Sequence, residues 1–385
     1  MSGRERSDRI LVSGGAGFIG RHLVRRLLAA GRPVTVLDSL LEAVHGPDPK
    51  LPPELDGARF LRGDVRDADA WRDALAGVDL VYHLGAETGT GESMYRAQRY
   101  VDVNVGGTRV LCDLLGEDSG VRRVVVASSR AIYGEGPYRC AVHGIVHPEA
   151  RTAERLARGA WEPDCPLCGL ALQPHPAGPG TQVHPASVYG VTKRDQEELL
   201  LSLLPPHGVE VVALRLQNVY GPGQSVRNPY TGILSIFTVR FLDGENVSIF
   251  EDGQESRDFV HVEDVVEAFL CAGDAELGAP TLVLDVGSGR PTTVLEAAHM
   301  LARACGADAG RVAVTGDYRI GDIRHAFCDP GPLRDALGVT PRIPIEDGIA
   351  GLVAWVRTTE RPESRLDDAL DEMRAAGLLG RAEAR

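Results

Sequence analysis

The chain has 385 residues, of which 54 are acidic and 41 basic, giving a formal net charge of -13 at pH 7. This acidic balance argues against a protein that binds nucleic acid or an anionic membrane, since either needs a basic face. Hydrophobic residues make up 43% of the chain, which excludes wholesale disorder. We expect a soluble, cytoplasmic protein, because no apolar run approaches the ~20 residues of a membrane helix and the polar N-terminus is no signal peptide.

The first half of the chain alternates short β-rich runs with helical patterns. This alternation predicts an α/β fold, a Rossmann-type doubly wound parallel sheet with helices on both faces. The predicted strands are Arg9–Val12, Val34–Leu37, Ala58–Leu61, Leu80–His83, Arg123–Ala127 and Val209–Leu216. The predicted helices are His22–Ala30, Ala68–Leu75, Val103–Leu115 and Tyr189–Leu204.

Changes in composition divide the rest of the chain. Residues 1–218 are predicted to form the Rossmann domain, interrupted by an insertion at 136–186 that is rich in Pro, Gly, His and Cys. Pro/Gly-rich turns from residue 219 indicate a smaller, mixed substrate-binding lobe over 219–357, with part of 258–272 crossing back to the first domain. Residues 358–385 are charged and are predicted to form a helical tail.

A glycine motif follows the first predicted strand and precedes a helix. Gly14 permits a tight turn, Gly17 lets a pyrophosphate approach the backbone, and Gly20 lets the helix pack close to the strand. The intervening Phe18 and Ile19 begin the helix, whose free N–H groups favour an anion. The alternative, a tight turn in another α/β fold, is disfavoured because the strand and the helix are both in place.

Asp38 stands at the end of the next strand, eighteen residues after Gly20. A carboxylate near this spacing accepts hydrogen bonds from the ribose hydroxyls of NAD and repels the 2′-phosphate of NADP. The sequence therefore predicts NAD as the cofactor.

Tyr189 and Lys193 lie four residues apart on one helix face. A neighbouring ammonium stabilises a phenolate and lowers the pKa of the tyrosine towards neutrality. Only Lys50 and Lys193 are lysines among the 41 basic residues, which strengthens a functional interpretation over a solvated helix edge. Ser128 and Ser129 end a buried strand, at the edge where such sheets bind ligands.

With these residues, the chain resembles the extended short-chain dehydrogenase/reductase family, in particular its NAD-dependent nucleotide-sugar epimerases and dehydratases. The resemblance covers about residues 9–353. Besides the motifs above, it rests on Gly63–Val65, His83–Ala86, Asn104, Arg215–Pro222, Arg257–Val260 and Gly321–His325.

This resemblance implies roles for individual residues. Ser129 is the catalytic hydroxyl, Ser128 is structural, Tyr189 is the acid/base, and Lys193 lowers the pKa of Tyr189 and binds the nicotinamide ribose. Asn218, Arg257 and Arg324 are expected to hold the substrate diphosphate. Further cofactor contacts are expected from Asp64, Val65, Leu84, Ala86 and Asn104, and further substrate contacts from Ser129, Arg130 and Tyr230.

The residues after Ser129 bear on the reaction. The 4,6-dehydratases of the family carry Asp-Glu at the positions of Arg130 and Ala131, and neither residue here is a general acid/base at neutral pH. This favours 4-epimerisation through transient oxidation at C4, which needs only Ser129, Tyr189 and Lys193. An NAD(P)H-dependent 4-ketoreductase with the same triad, and a binding protein that uses NAD(H) only as sensor or scaffold, are the alternatives.

Several local strings resemble the subgroup that acts on dTDP-6-deoxyhexoses, of the dTDP-L-rhamnose 4-epimerase type. They are Gly91–Tyr95, Ser128–Gly136, Asn228–Gly232 and the cysteine-rich insertion. A dTDP-(deoxy)hexose is therefore the expected substrate, with a UDP-hexose as the main rival. The resemblance also implies a homodimer through the helices near 103–115 and 189–204.

The insertion contains two matched pairs of metal-ligand residues. Cys140 and His143 are separated by two residues and followed by glycine, and Cys165 and Cys168 repeat this spacing. Four ligands with no fifth candidate predict a structural, tetrahedral Zn²⁺ site. The alternative is a surface loop with reduced cysteines, and His147 is a nearby substitute for His143.

Overall fold

The computed structural model describes residues 9–116, 119–228, 232–361 and 366–383. Its centre is a seven-stranded sheet in which every pair of neighbouring strands is parallel. The strands follow each other across the sheet in the order Thr281–Val286, Glu210–Leu216, Arg123–Ser129, Leu80–His83, Ile10–Ser13, Val34–Asp38 and Arg59–Arg62. The predicted α/β, Rossmann-type fold is confirmed.

Helices cover both faces of this sheet because successive strand residues point to opposite sides. Ile10 and Val12 join one core cluster, together with the helices Phe18–Ala29 and Val262–Asp274. Leu11 joins the other cluster, which contains Trp71 and side chains of three helices. Those helices are Ala68–Leu75, Gly107–Leu115 and Val188–Leu203.

The chain returns to the central sheet after residue 261. The helix Val262–Asp274 packs on one face, and the strand Thr281–Val286 pairs with Glu210–Leu216 at the edge of the sheet. This edge strand was absent from the strands predicted from sequence.

The smaller lobe has a core of its own, built on the helices Ile233–Leu242, Val294–Cys305 and Ile345–Thr358. Its short strands form a four-stranded sheet and a two-stranded sheet. They are Asn218–Tyr220, Ser256–His261, Pro291–Thr293 and His325–Ala326 in the first, and Val247–Ile249 and Val312–Val314 in the second.

The insertion folds into a small antiparallel sheet of Tyr138–Cys140, Gly144–Val146 and Gln173–Pro174, with one short helix at Ala153–Ala157. In the C-terminal tail, the helix Leu366–Ala375 is followed by the strand Leu379–Arg381. That strand pairs antiparallel with Asp317–Arg319, so the tail folds back onto the smaller lobe.

The remaining helical elements are short. The α-helices are Glu42–His45, Thr90–Ser93, Ala97–Tyr100 and Gly331–Leu337, Val101–Gly106 is a π-helix, and the 3₁₀ helices are Pro53–Leu55, Arg130–Tyr133, Pro205–His207 and Ala309–Arg311. Within the described ranges, none of the helices has the length and apolar character needed to span a bilayer.

Candidate active site

A cavity of about 690 Å³ opens at the carboxyl ends of the central strands. In open parallel sheets this edge is where ligands bind, at the point where the strand order reverses. Here the order reverses between Ile10–Ser13 and Leu80–His83. The wall of the cavity extends from the glycine loop to the smaller lobe, where Asn228 and Leu234 contribute to it.

The glycine loop forms one end of this cavity, and all five predicted residues line it: Gly14, Gly17, Phe18, Ile19 and Gly20. Gly14 has a φ of +71°, and a Cβ on it would lie 2.7 Å from the backbone nitrogen of Gly85. A Cβ on Gly20 would overlap the carbonyl oxygen of Gly14. No side chain caps the helix that begins at Phe18, so its first N–H groups are left for a ligand.

Asp38 is held beside this loop by two backbone hydrogen bonds. Its Oδ2 accepts from the N–H of Ala16 at 3.0 Å and its Oδ1 accepts from the N–H of Leu40 at 2.9 Å. These bonds orient the carboxylate while leaving lone pairs for ribose hydroxyls.

Four further predicted cofactor contacts, Asp64, Val65, Leu84 and Ala86, also line the cavity. Arg66 donates to both carboxylate oxygens of Asp64, at 2.9 and 2.7 Å, and lowers the pKa of that carboxyl group.

Asn104 lies behind the cavity wall rather than on it. The side chain is fully buried; its Oδ1 accepts from the N–H of Glu87 at 2.7 Å, and its Nδ2 donates to the carbonyl of Glu87 and to Thr192 Oγ1. With its donors and acceptor used in this way, Asn104 holds the loop of Glu87, which does line the cavity. The direct cofactor contact expected from Asn104 stays a prediction, because its side chain supports the cavity wall and does not line the cavity.

Ser129 and Tyr189 meet at the other end of the cavity. Ser129 ends the strand Arg123–Ser129 and caps the following 3₁₀ helix, its Oγ accepting from the N–H of Ala131 at 3.1 Å. Tyr189 is in the first turn of the helix Val188–Leu203, and its phenol lies close to Ser129. Burial raises the pKa of Tyr189, while the Ser129 hydroxyl and the charge of Arg130 lower it.

Lys193 lies one turn further along the same helix and lines the cavity, although it is only 3% exposed. Its Nζ donates to Gln196 Oε1 at 2.8 Å, and Gln196 Nε2 donates to Thr108 Oγ1 at 2.7 Å. His83 extends this chain, since its two ring nitrogens contact Thr108 Oγ1 and Ser13 Oγ at 3.0 and 2.7 Å. Sequence reasoning missed Gln196, for which the only signal was its place one turn after Lys193.

Arg130 and Asn218 lie side by side in the cavity wall near Tyr189. Arg130 Nε donates to Asn218 Oδ1 at 2.8 Å. Arg257 is not among the residues that line the cavity; its Nη1 donates to the carbonyl oxygens of Ser256 and Arg324 at 2.8 and 3.2 Å. Tyr230, predicted to contact the substrate, falls outside the described residues.

Arg324, which the resemblance assigns to the substrate diphosphate, is paired with carboxylates and is not among the residues that line the cavity. It is 1% exposed, and its guanidinium is engaged by three carboxylates: Nε donates to Glu162 at 2.7 Å, and Nη1 contacts Glu251 and Asp252 at 3.0 and 2.7 Å. Because these acidic groups occupy its donors, Arg324 is a structural ion-pair centre in this structure.

The four predicted metal ligands come together in the insertion. The ligand atoms of Cys140, His143, Cys165 and Cys168 all lie within 4.8 Å of one another. Cys140 Sγ is 3.7 Å from both His143 Nδ1 and Cys168 Sγ, and Cys165 Sγ is 3.6 Å from His143 Nδ1. A tetrahedral zinc ion with its usual bond lengths separates ligands by about 3.6–3.8 Å. Backbone N–H groups, first that of His143, lower the pKa of Cys140 to about 6, which favours the thiolate.

Comparison with known proteins places the chain in a family. The model of the NAD dependent epimerase/dehydratase family matches residues 10–149 and 171–287. The chain belongs to this family. Residues 150–170, which include Cys165 and Cys168, fall outside the matched ranges, so this part of the insertion is an addition to the family pattern.

Three relatives illustrate the range of similar proteins. The dTDP-L-rhamnose 4-epimerase of Burkholderia thailandensis is 38% identical over 90% of this chain and 94% of that protein. A dTDP-glucose 4,6-dehydratase of Streptomyces niveus is 31% identical over 91% of this chain and 93% of that protein. The structure of MoeE5 in complex with UDP-glucuronic acid and NAD is 30% identical, with a TM-score of 0.71 over 91% of this chain and 99% of that one.

Proposed function

We propose that this protein is an NAD-dependent nucleotide-sugar 4-epimerase that acts on a dTDP-(deoxy)hexose. The observation that carries the proposal is the meeting of Ser129 and Tyr189 with Lys193 in one cavity with the glycine loop. The similarity to a dTDP-L-rhamnose 4-epimerase over most of both chains supports the substrate class. The predicted cytoplasmic location remains a prediction.

The residues of the glycine-loop end fit NAD. A Cβ on Gly14 or Gly20 would overlap neighbouring backbone, so only glycine permits the tight turn that brings the uncapped N-terminus of the following helix to the cavity, where its N–H groups suit a pyrophosphate. The oriented carboxylate of Asp38 suits a ribose diol. When bound, the nicotinamide takes a hydride from C4 of the sugar and returns it.

Proton transfer at the C4 hydroxyl is the task of Tyr189. The Ser129 hydroxyl and the charge of Arg130 both lower the pKa of Tyr189, and we expect the ammonium of Lys193, one turn away on the same helix, to add to this effect when substrate and cofactor are bound. The same tyrosine returns the proton after the keto sugar has turned over. No further acid or base is needed, in agreement with Arg130 and Ala131 at the positions where the dehydratases carry Asp-Glu.

The deciding experiment incubates the purified protein with dTDP- and UDP-sugars without added reductant and follows inversion at C4 by NMR. We expect interconversion of C4 epimers of a dTDP-(deoxy)hexose. Net reduction of a 4-keto sugar with stoichiometric NAD(P)H would instead establish the ketoreductase, and turnover of UDP-hexoses alone would establish the UDP-sugar alternative.

Tyr189→Phe tests the mechanism directly. The substitution removes the phenolic proton carrier but keeps the ring, so turnover should fall by roughly 10²–10⁴-fold. Bound NAD, measured after denaturation, should stay at the parental level. Full activity in this variant would contradict the role of Tyr189.

We further propose one structural Zn²⁺ per chain, held by Cys140, His143, Cys165 and Cys168. The core cluster of the insertion has five buried residues, of which two are the proposed ligands Cys140 and Cys165, so a metal would supply folding free energy that the three remaining side chains do not. The ligands lie outside the cavity lining, so the ion would shape the insertion and take no part in hydride transfer.

Elemental analysis of protein purified without added metal is expected to give one zinc per chain. Cys165→Ser/Cys168→Ser should abolish it, while Cys305→Ser, which changes a cysteine outside the cluster, should leave it unchanged. Chelation should raise KM more than it lowers kcat, because no ligand belongs to the triad. A zinc content near zero in the parent would refute the site.

A further inference from the structure

The guanidinium of Arg130 is left without an acidic partner in the cavity wall. Arg130 directly follows Ser129 and lines the cavity, and its Nε donates to Asn218. Among the described residues, neither of its Nη atoms makes a hydrogen bond, and Nη1 is buried from solvent. A buried donor without a partner costs free energy, and because Arg130 lines the cavity, an acceptor oxygen of a bound ligand can offset that cost.

Other deeply buried arginines of this protein are neutralised by carboxylates. Arg123 pairs with Glu210, Arg215 with Glu197, and Arg324 with Glu251 and Asp252. Arg130 has no carboxylate within 4.0 Å in the part of the chain that the structure describes. Burial and the like charge of Arg257 lower the pKa of Arg130 to about 9, so the group remains a cation at pH 7.

The position of Arg130 limits which anion can reach it. The side chain lies at the end of the cavity that holds Ser129 and Tyr189, where the C4 hydroxyl would react. Two anionic groups of a nucleotide sugar lie within one sugar ring of C4: the β-phosphate attached at C1 and a carboxylate at C6 in a uronic acid. Both present oxygens that match a guanidinium fork.

We propose that Arg130 binds an oxygen of the substrate β-phosphate beside Tyr189, because the (deoxy)hexose of the proposed substrate carries no carboxylate at C6. The proposal rests on the proposed function, because it takes a nucleotide sugar as the ligand. It makes Arg130 a further substrate-binding residue that favours nucleoside diphosphates over monophosphates, since an uncompensated cation here favours a ligand that delivers negative charge to this end of the cavity.

Calorimetric binding to NAD-loaded protein tests this without turnover, in a Tyr189→Phe background. The first pair of probes compares a nucleoside diphosphate with the monophosphate and isolates the β-phosphate. The second pair compares the nucleoside-diphosphate derivative of glucuronic acid with that of glucose and isolates the C6 carboxylate. Each pair is measured with uridine and with thymidine nucleotides. Arg130→Met is compared with Arg130→Lys, which keeps the charge, and with Arg72→Met, which removes an exposed arginine far along the chain. NAD content and thermal melting verify that each variant is folded.

A β-phosphate contact predicts that Arg130→Met weakens binding of the nucleoside diphosphate by roughly tenfold or more, with the monophosphate within about twofold of the parent. The same loss for the glucuronic acid derivative alone would assign Arg130 to a C6 carboxylate and would contradict the β-phosphate contact. Arg130→Lys should lose less than Arg130→Met in either case. Unchanged affinity for all probes, or a parent that binds no nucleoside diphosphate, overturns the proposal. Arg130-dependent binding without turnover of any sugar contradicts only the proposed function.

Discussion

Lys193 keeps a charge in a site that is almost closed to water. Burial lowers its pKa to about 8, while the charge of Glu197 raises it, so the ammonium is still largely protonated at pH 7. The hydrogen-bond chain behind it is neutral, because burial lowers the pKa of His83 to about 3. The neutral amide of Gln196 therefore positions the ammonium of Lys193 without neutralising its charge. We expect this charge to act on the Tyr189 phenolate and on the nicotinamide ribose.

Glu255 gives a pH-dependent prediction at the residue scale. It is 6% exposed, one carboxylate oxygen is buried without a hydrogen-bond partner, and burial raises its pKa to about 7. The folded state therefore favours the protonated acid, and ionisation destabilises it progressively between about pH 4.5, its ordinary value, and pH 7.

Glu255→Gln mimics the protonated acid at every pH. We expect it to raise the free energy of unfolding at pH 8 by roughly 1–3 kcal/mol, and the gain to shrink as the pH falls towards 4.5. Urea denaturation at both pH values measures this, with the exposed Glu276→Gln as control. An equal gain at both pH values would show that the effect has another cause.

Buried ion pairs fasten the insertion to the smaller lobe. From the insertion, Arg151 contacts Glu251 at 2.8 Å, and Glu162 accepts from Arg324. Glu135, just before the insertion's first strand, accepts from the N–H of Arg324 at 2.8 Å. These contacts join two elements that are distant in sequence.

Arg324→Met removes the cation at the centre of this cluster. It should lower the free energy of unfolding by roughly 1–3 kcal/mol, because the buried Glu251 keeps only Arg151 as its partner and the half-exposed Glu162 and Asp252 lose their contacts with Arg324. Thermal melting measures the loss, and Arg290→Met, which removes an exposed ion pair with Glu346, is the control. A variant that melted like the parent but bound nucleoside diphosphates at least tenfold more weakly would support the diphosphate contact that the family resemblance implies for Arg324.

The C-terminal tail closes against the rim of the cavity. Tyr95 donates to Glu372 of the tail at 3.1 Å, and the buried Met373 lies against Gly91. Leu378 borders a small cleft together with Thr90, a residue that also lines the main cavity. The tail therefore supports the segment that carries Thr90.

Truncation after Thr358 should raise KM for the nucleotide sugar by several-fold while leaving NAD content unchanged, because the rim loses its support. Gly380→Val should act in the same direction, since any Cβ at Gly380 would overlap the Tyr318 ring on the neighbouring strand. Steady-state kinetics provides the measurement. Parental KM values in both variants would remove the tail from substrate binding.

At the scale of the whole molecule, apolar side chains remain exposed on two neighbouring helical segments. Val101 is 45% exposed on the π-helix, and Val191 and Leu203 are 42% and 44% exposed on the catalytic helix. These segments overlap the helices through which the family resemblance implies a homodimer, and a second copy would bury these side chains.

If the protein forms the homodimer that the resemblance implies, Val191→Asp should shift it to monomer in light scattering, since a buried carboxylate at such an interface costs more than the contact contributes. Val314→Asp, at a valine that is 48% exposed on a different strand, should leave the assembly unchanged. A parent that is monomeric at micromolar concentration would exclude the homodimer.

Local chemistry determined what the sequence could predict. The glycine loop and Asp38 are fixed by short chain spacing, and the helical period alone places Tyr189 and Lys193 on one face. The two Cys/His pairs likewise predicted a cluster, because two-residue spacing brings each pair to one point. These local patterns are sufficient to predict the fold class, the ligand-binding edge of the sheet and the triad, because none of them depends on contacts between distant parts of the chain.

Only the tertiary structure shows which polar and charged side chains already have hydrogen-bond or ion-pair partners within the protein. The sequence shows Arg324 as one more arginine in a family-like motif, whereas the fold surrounds it with carboxylates from residues 162, 251 and 252. Asn104 is turned towards a loop backbone, and Arg130 is left uncompensated, for the same reason. Whether a buried charge is neutralised depends on partners from distant parts of the chain, which the topology brings together and which no local spacing encodes.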